Sequence, residues 1–225
     1  MTNKAFSVLE TDENTGGIVF AKSAVEARRI GANLYNHDDF SGLSVHRVPR
    51  LDKFEQTGVP AWLLVADGWR FECFGCGMSV NEDDLADLGM KVEDVVGRES
   101  GRIFCCHTCR RDSMARDAAI DGFGRAFLDM MQDIVRRRFP VDGISFGEHR
   151  HHVYVPKWYS PLVVVQAHVG FSFPGMKIGP ASLHYRHEGP GGTSLIGPAP
   201  LEFHCCNGDR ETFEAFAAET KQEAR

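Results

Sequence analysis

Two short cysteine clusters constrain the fold of this chain more than any other feature of its sequence. Cys73 and Cys76 lie in FECFGCG, and Cys105, Cys106 and Cys109 lie in RIFCCHTC further along the chain. A structural zinc ion takes four ligands, commonly as two pairs that are each held by a tight turn. Because five thiols crowd into two turn-like segments, we expect metal ligands rather than buried free cysteines.

The spacing within each cluster favours zinc binding. The first pair, Cys73 and Cys76, is separated by two residues, and the neighbouring glycines allow the chain to reverse and its N–H groups to approach sulfur. The second cluster lies where a predicted strand meets a predicted helix, and thiolates are stabilised at a helix N-terminus. Cys109 is predicted to be one ligand there, and either Cys105 or Cys106 the other, while His107 is not expected to bind. Four thiolates close the coordination shell, so we predict one structural Zn²⁺ per chain.

A knuckle on a hairpin, followed by a cysteine pair at a helix start, resembles the treble-clef class of zinc modules. The F-C-x-x-x-C form, here Phe104-Cys105 to Cys109, is similar to the short treble clefs of the TRASH and MYM type. The resemblance covers residues 71–112 and implies Cys105 as the ligand beside Cys73, Cys76 and Cys109.

The charge distribution bears on the partner of this module. Residues 73–109 carry three basic and seven acidic side chains, a net charge of −4 in a chain of net charge −6. Nucleic-acid binding depends on lysine and arginine meeting phosphate. We therefore expect another protein as the partner. Nucleic acid, contacted through Arg110, Arg111 and Arg136–Arg138, is the disfavoured alternative.

Composition and the N-terminus predict a cytoplasmic protein. The chain has 225 residues, 43% of them hydrophobic, which is enough to bury a sizeable core. No apolar run approaches the roughly 18 residues of a membrane span, and MTNKAFSVLETDENTGG lacks the apolar region of a signal peptide. In a reducing compartment, clustered cysteines are typically metal ligands or catalytic groups.

The patterning predicts an α+β fold in three parts. Residues 1–72 form a small α+β unit: a hairpin from AFSVLET and GGIVFA, a helix capped by Ser23 and Glu26, and strands in LSVHRVP, AWLLVADG and WRFEC. Residues 73–139 hold the zinc module, a short helix capped by Asn81, and a long amphipathic helix that ends near Pro140. Residues 140–225 form a β-rich unit closed by a helix after Asp209.

Histidines concentrate in the last third of the chain and offer a second hypothesis. His149 and His151 would share one strand face in the H-x-H pattern of many metal enzymes. A metal-dependent enzyme would use this pair with His184, His187 or His204. It would require at least three of these side chains to converge in a cleft.

The leading hypothesis is a non-catalytic, zinc-stabilised protein that binds another protein. Its contact surface is expected around VPKWYSP, where Trp158 and Tyr159 would form an exposed patch. The N-terminal segment TGGIVFAKSAVEARRIGA resembles proteins of phage and prophage genomes. That resemblance implies an accessory role, including interference with a host defence system.

Overall fold

The structure is a computed structural model of the chain, and it describes residues 2–11, 15–35, 39–147, 150–187 and 201–223. It mixes helices with antiparallel sheets, which confirms the α+β prediction. The chain divides into two compact units, Met1–Met114 and Ala115–Arg225. The three-part division expected from the sequence stays a prediction. Across the described ranges, no helix has the length and apolarity needed to cross a membrane.

The first unit opens with a three-stranded antiparallel sheet. The hairpin is confirmed as β1 (Lys4–Glu10) and β2 (Gly16–Ala21), and β3 (Leu43–Arg47) pairs with the other edge of β1. Helix α1 (Ala24–Tyr35) packs on one face of this sheet through its small residues. A second apolar cluster that includes Leu51 covers the opposite face, which explains why β1 is apolar on both sides.

The start of α1 is capped as the sequence predicts. The N–H of Glu26 donates to Ser23 Oγ at 3.2 Å, while the Glu26 carboxylate accepts from the N–H of Lys22 at 2.9 Å. Gly31 lies on the buried face, where an added Cβ would come within 2.4 Å of a Val8 methyl group. The helix therefore approaches the sheet closely because this position has no side chain.

The predicted strand in AWLLVADG is wrong, because this segment forms the short helix α2 (Ala61–Val65). Pro60 stands at its N-cap, and Leu64 and Val65 are buried with Ala61 on one side. A short apolar run does not distinguish a buried strand from a buried helical turn. WRFEC is extended only at β4 (Phe71–Glu72).

A short hairpin and a short helix connect the two cysteine clusters within the first unit. Strand β4 pairs with β5 (Ser79–Val80), and the helix predicted after Asn81 is α3 (Glu82–Asp87). The side chain of Asn81 accepts from the N–H of Asp84 at 3.0 Å, so the predicted N-cap is confirmed. Helix α4 (His107–Arg138) then begins at the second cluster.

The second unit is built on an antiparallel sheet of four strands in sequential order. The strands are β6 (His151–Tyr154), β7 (Gln166–Phe171), β8 (Ala181–Arg186) and β9 (Leu201–His204). One face packs against residues from the C-terminal half of α4 and from α5 (Arg210–Glu223) around a cluster of phenylalanines. The alternate residues of each strand lie on the opposite face, here called the outer face.

The loop before α5 is organised by a buried carboxylate. Asp209 was predicted to cap α5, but its carboxylate accepts hydrogen bonds from the N–H groups of Lys177, Ile178 and Gly179 at 3.1, 2.7 and 3.0 Å. The N–H donors of Gly179, Ile178 and Lys177 lower the pKa of Asp209 more than its burial raises it. Asp209 therefore fixes a distant loop to the start of α5.

Candidate metal centre

The two cysteine clusters come together in the first unit. The sulfur atoms of Cys73, Cys76, Cys105 and Cys109 all lie within 4.8 Å of one another. Cys73 Sγ is 3.4 Å from Cys109 Sγ, and Cys76 Sγ is 3.9 Å from Cys105 Sγ. Each close pair joins one cysteine of the first cluster to one of the second. This four-thiol cluster could hold a metal ion.

The first two thiols are placed by a tight turn at the end of the β4–β5 hairpin. The N–H of Cys73 donates to the carbonyl of Met78 at 2.8 Å, and the N–H of Gly77 donates to the carbonyl of Cys73 at 2.8 Å. Gly77 has a φ of +74°, in the left-handed region that favours glycine. The turn therefore reverses the chain directly behind the two sulfurs.

Gly75 allows this turn to approach the start of α4. A Cβ at Gly75 would lie 2.6 Å from Cys109 Sγ and 3.1 Å from the carbonyl oxygen of Cys109. These separations are far shorter than an ordinary contact of about 3.5–4.0 Å. Any side chain at this position would push the two cysteine pairs apart.

Cys105 and Cys106 make different contacts. Cys105 is buried in the four-thiol cluster, and its N–H donates to Cys73 Sγ at 3.3 Å. Cys106 Sγ lies 3.9 Å from Cys105 Sγ and accepts from the N–H of Cys109 at 3.4 Å. That contact places Cys106 as a sulfur cap on the first turn of α4. His107 is exposed.

Three of the four thiols have shifted pKa values. Burial alone would raise the pKa of Cys73, but the N–H groups of Cys105, Cys76 and Gly75 donate to its sulfur and lower the pKa to about 6. Burial, followed by the neighbouring Cys73, raises the pKa of Cys109 to about 12, and the same two causes raise the pKa of Cys105. A divalent cation would supply the charge that lets all four ionise, so this donor set fits a metal ion.

The insert between the clusters forms the apolar surroundings of the cysteines. Leu85 of α3, Val95 and Phe104 are buried in one cluster with Cys73 and Cys105. The backbones of Val96 and Phe104 exchange two hydrogen bonds of 2.8 and 2.9 Å, which closes the insert against the second cysteine pair. The acidic segment therefore packs on the cysteine cluster through its apolar side.

An arginine-lined cavity of about 640 Å³ lies beside the cysteine cluster in the first unit. Its lining consists of Pro60, Gly97, Arg98, Gly101, Arg102, Phe104, Arg110 and Met114. Arg98 and Arg102 are two of the three basic residues in 73–109, and the lining includes no acidic residue. The net charge of −4 over residues 73–109 therefore does not show that two of its three cations lie together with Arg110 at one place.

Three of the other arginines proposed for nucleic-acid contact make interactions within the protein. Arg111 pairs with Asp112 at 2.9 Å, and Arg136 pairs with Asp133 at 2.7 Å. Arg138 donates to the carbonyl of Ala217 at 3.4 Å. These guanidinium groups are already engaged, which weakens the case for a phosphate-binding stripe.

The structure describes only one member of the predicted H-x-H pair. His149 lies outside the described residues, so the predicted pair is untested. His151 is on the core side of β6, with its ring 6.4 Å from that of Phe146. The other histidines of strands β6–β9 form a row across the outer face: His152, His168, His184 and His204. Burial, followed by the neighbouring histidines, lowers the pKa of both His168 and His184.

Comparison with known proteins does not place the chain in a family. No family model, curated protein or solved structure matches it. The functional conclusions therefore rest on the geometry of its own residues.

Proposed function

We propose that this chain is a non-catalytic, zinc-stabilised protein that acts by binding another protein. The observation that carries the proposal is the four-thiol cluster, in which both cysteine pairs supply two sulfurs to one point. Four thiolates around Zn²⁺ leave no position for water or substrate, so the ion would be structural. Thiolate ligands bind Zn²⁺, iron–sulfur clusters and Cu(I). Zinc is the favoured metal here because two cysteine pairs held by tight turns are the usual ligand set of a structural zinc site.

The order of elements around the thiols supports a treble-clef-like module. A knuckle on the β4–β5 hairpin supplies Cys73 and Cys76, and the start of a long helix supplies Cys109. Zinc would tie the hairpin to α4, and the energy of binding the ion would become folding energy of the first unit.

Trp158 supports protein contact in the second unit. Its side chain is 73% exposed, although the backbone on both sides of it is held to α4. Arg116 donates to the carbonyls of Lys157 and Tyr159, and Lys157 Nζ donates to Asp117 at 2.6 Å. A large aromatic ring presented by an ordered backbone loses little entropy on binding, and tryptophan is enriched at binding hot spots.

The arginine-lined cavity of the first unit supports binding to an acidic surface on the partner protein. The guanidinium groups of Arg98, Arg102 and Arg110 line the cavity together, so its positive charge suits a carboxylate-bearing segment. Arg98 also donates to the carbonyls of Thr57 and Gly58, and Arg102 lies over the ring of Phe74, which holds both side chains in place. A role in phage or prophage biology is a separate proposal, and it rests only on the N-terminal sequence resemblance.

Affinity capture of the full zinc-loaded chain from its native cells tests the proposal with two matched substitutions. Trp158→Ala removes the exposed ring, whereas Ile178→Ala removes an aliphatic side chain that is equally 73% exposed in the same unit. We expect a co-purifying protein that is retained by Ile178→Ala and lost with Trp158→Ala. A hot-spot residue contributes at least about 2 kcal/mol, roughly a thirtyfold change in affinity.

A second pair of variants addresses the cavity. Arg110→Glu should weaken capture, while Arg111→Glu on the neighbouring residue, which is paired with Asp112, should change it little. Recovery of the same proteins by every variant would contradict the proposal. Capture of nucleic acid that is released by moderate salt would favour the alternative function.

A further inference from the structure

The outer face of the second unit carries a row of imidazole rings, which we name the histidine row: His152, His168, His184 and His204. Each residue belongs to a different strand, in the order β6-β7-β8-β9. His152 pairs with His168 and His168 with His184 in the strand register, and His184 lies opposite Glu202. His204 lies opposite Ser182, diagonally from His184. The ring centroids of neighbours in the row are 5.7, 5.5 and 4.4 Å apart, so neighbouring rings lie within reach of a shared ligand.

The relative orientation of the rings decides which neighbours could bind one ion. The lone pair of an imidazole nitrogen lies in the plane of its ring. His168 and His184 are stacked at 5.5 Å with an angle of 21°, so their nitrogens point along parallel planes rather than towards one point. His184 and His204 have centroids 4.4 Å apart and an angle of 64°. His152 and His168 are 5.7 Å apart with an angle of 34°, so the His184–His204 pair is the closest in the row and the one whose ring planes cross most steeply.

A carboxylate and a hydroxyl complete the surroundings of this pair. Glu202 Oε2 lies 3.4 Å from His204 Nε2, and both side chains are more than half exposed, so they are free to turn towards an ion. Ser182 Oγ lies 2.8 Å from His184 Nε2, a hydrogen bond that orients the ring. Metal-ligating histidines are commonly held by such a hydrogen bond on one ring nitrogen.

We propose that the outer face binds one divalent transition-metal ion between His184 and His204, with the carboxylate of Glu202 as a third ligand. Two imidazoles and a carboxylate suit Zn²⁺, Ni²⁺, Cu²⁺ or Fe²⁺. Three protein ligands on a sheet surface leave the remaining positions of the ion open to water or to a partner's side chain. The site is separate from the four-thiol cluster and differs from it in being open.

Isothermal titration of the zinc-loaded full chain with Ni²⁺ at neutral pH tests the proposal. His204→Ala and His184→Gln each remove a ligand, Glu202→Gln removes the charge, and His152→Ala removes the histidine at the other end of the row as a matched control. Thermal unfolding of each variant shows whether the sheet is intact, and elemental analysis after titration shows whether the four-thiol cluster kept its zinc.

We expect one Ni²⁺ per chain beyond the structural metal. His204→Ala and His184→Gln should each lower the affinity at least about tenfold, the loss that follows even from removing an outer-shell partner. Glu202→Gln should lower it less, and His152→Ala should leave it unchanged. No Ni²⁺ binding, an unchanged affinity in folded His204→Ala, or a loss with His152→Ala would each overturn the proposal.

Discussion

Two glycines in α4 provide a quantitative test of how the helix packs in the second unit. An alanine at Gly122 would meet nothing within 4 Å, whereas a Cβ at Gly124 would lie 3.0 Å from a Val153 methyl group. In a helix interior alanine is more favourable than glycine by about 0.8–1.0 kcal/mol. Gly122→Ala should therefore raise the free energy of unfolding by about that amount.

Gly124→Ala gains the same helix propensity but must displace Val153 on β6. Overpacking a well-packed core typically costs about 1–3 kcal/mol, so the gain is cancelled or reversed. The two variants should differ by at least about 1 kcal/mol, or roughly 4 °C in the melting temperature of a unit of this size. Urea denaturation followed by circular dichroism measures the difference. Equal stabilisation by both substitutions would refute the close approach of α4 to β6.

Three further predictions concern the cysteine cluster and the loop at Asp209. Gly75→Ala should weaken metal binding because the added Cβ would collide with Cys109 Sγ, whereas at Gly101 the nearest contact of an added Cβ is 3.8 Å, so Gly101→Ala should leave metal binding intact. Competition with a chelator compares the metal affinities of the two variants. Equal affinities would contradict the steric reasoning. Complete chelation of the metal should lower the melting temperature of the first unit and leave that of the second unchanged; an unaffected first unit would show that the ion is not structural. The pKa of Asp209 is lower in the folded chain, so the carboxylate stabilises the fold above its unfolded pKa of about 3.9, and this contribution is lost as pH falls through the folded pKa. Asp209→Asn should therefore reduce stability at neutral pH and flatten the acid dependence in thermal melts, and an unchanged pH profile would argue against this role.

Helix caps and helical periodicity, which depend on residues close in sequence, correctly predicted helices. The caps at Ser23 and Asn81 lie where the sequence indicates, because a capping side chain bonds to amides only three residues away. Long helical periodicity likewise identified α4, whose last residue, Arg138, lies close to the end predicted near Pro140. The segment at Ala61–Val65 was misassigned because its length and apolarity are compatible with either a strand or a helical turn.

Features that depend on pairing between distant segments were not predictable in the same way. The choice between Cys105 and Cys106 depends on which sulfur faces the knuckle, since both spacings allow a zinc pair. The histidine row depends on the register of four strands, and no sequence spacing shows that His168 will stand beside His184. The arginine-lined cavity was not predictable either, because Arg98 lies in a loop and Arg110 in α4, and only the fold brings them together.

Metal content per chain, measured by elemental analysis on natively purified protein, tests the central claim most directly. We expect one zinc per chain, lost with Cys105→Ser and retained with Cys106→Ser, because Cys106 caps α4 and a serine hydroxyl can accept the same hydrogen bond. Absence of metal from the wild-type chain, or zinc that survives Cys105→Ser and is lost with Cys106→Ser, would contradict it.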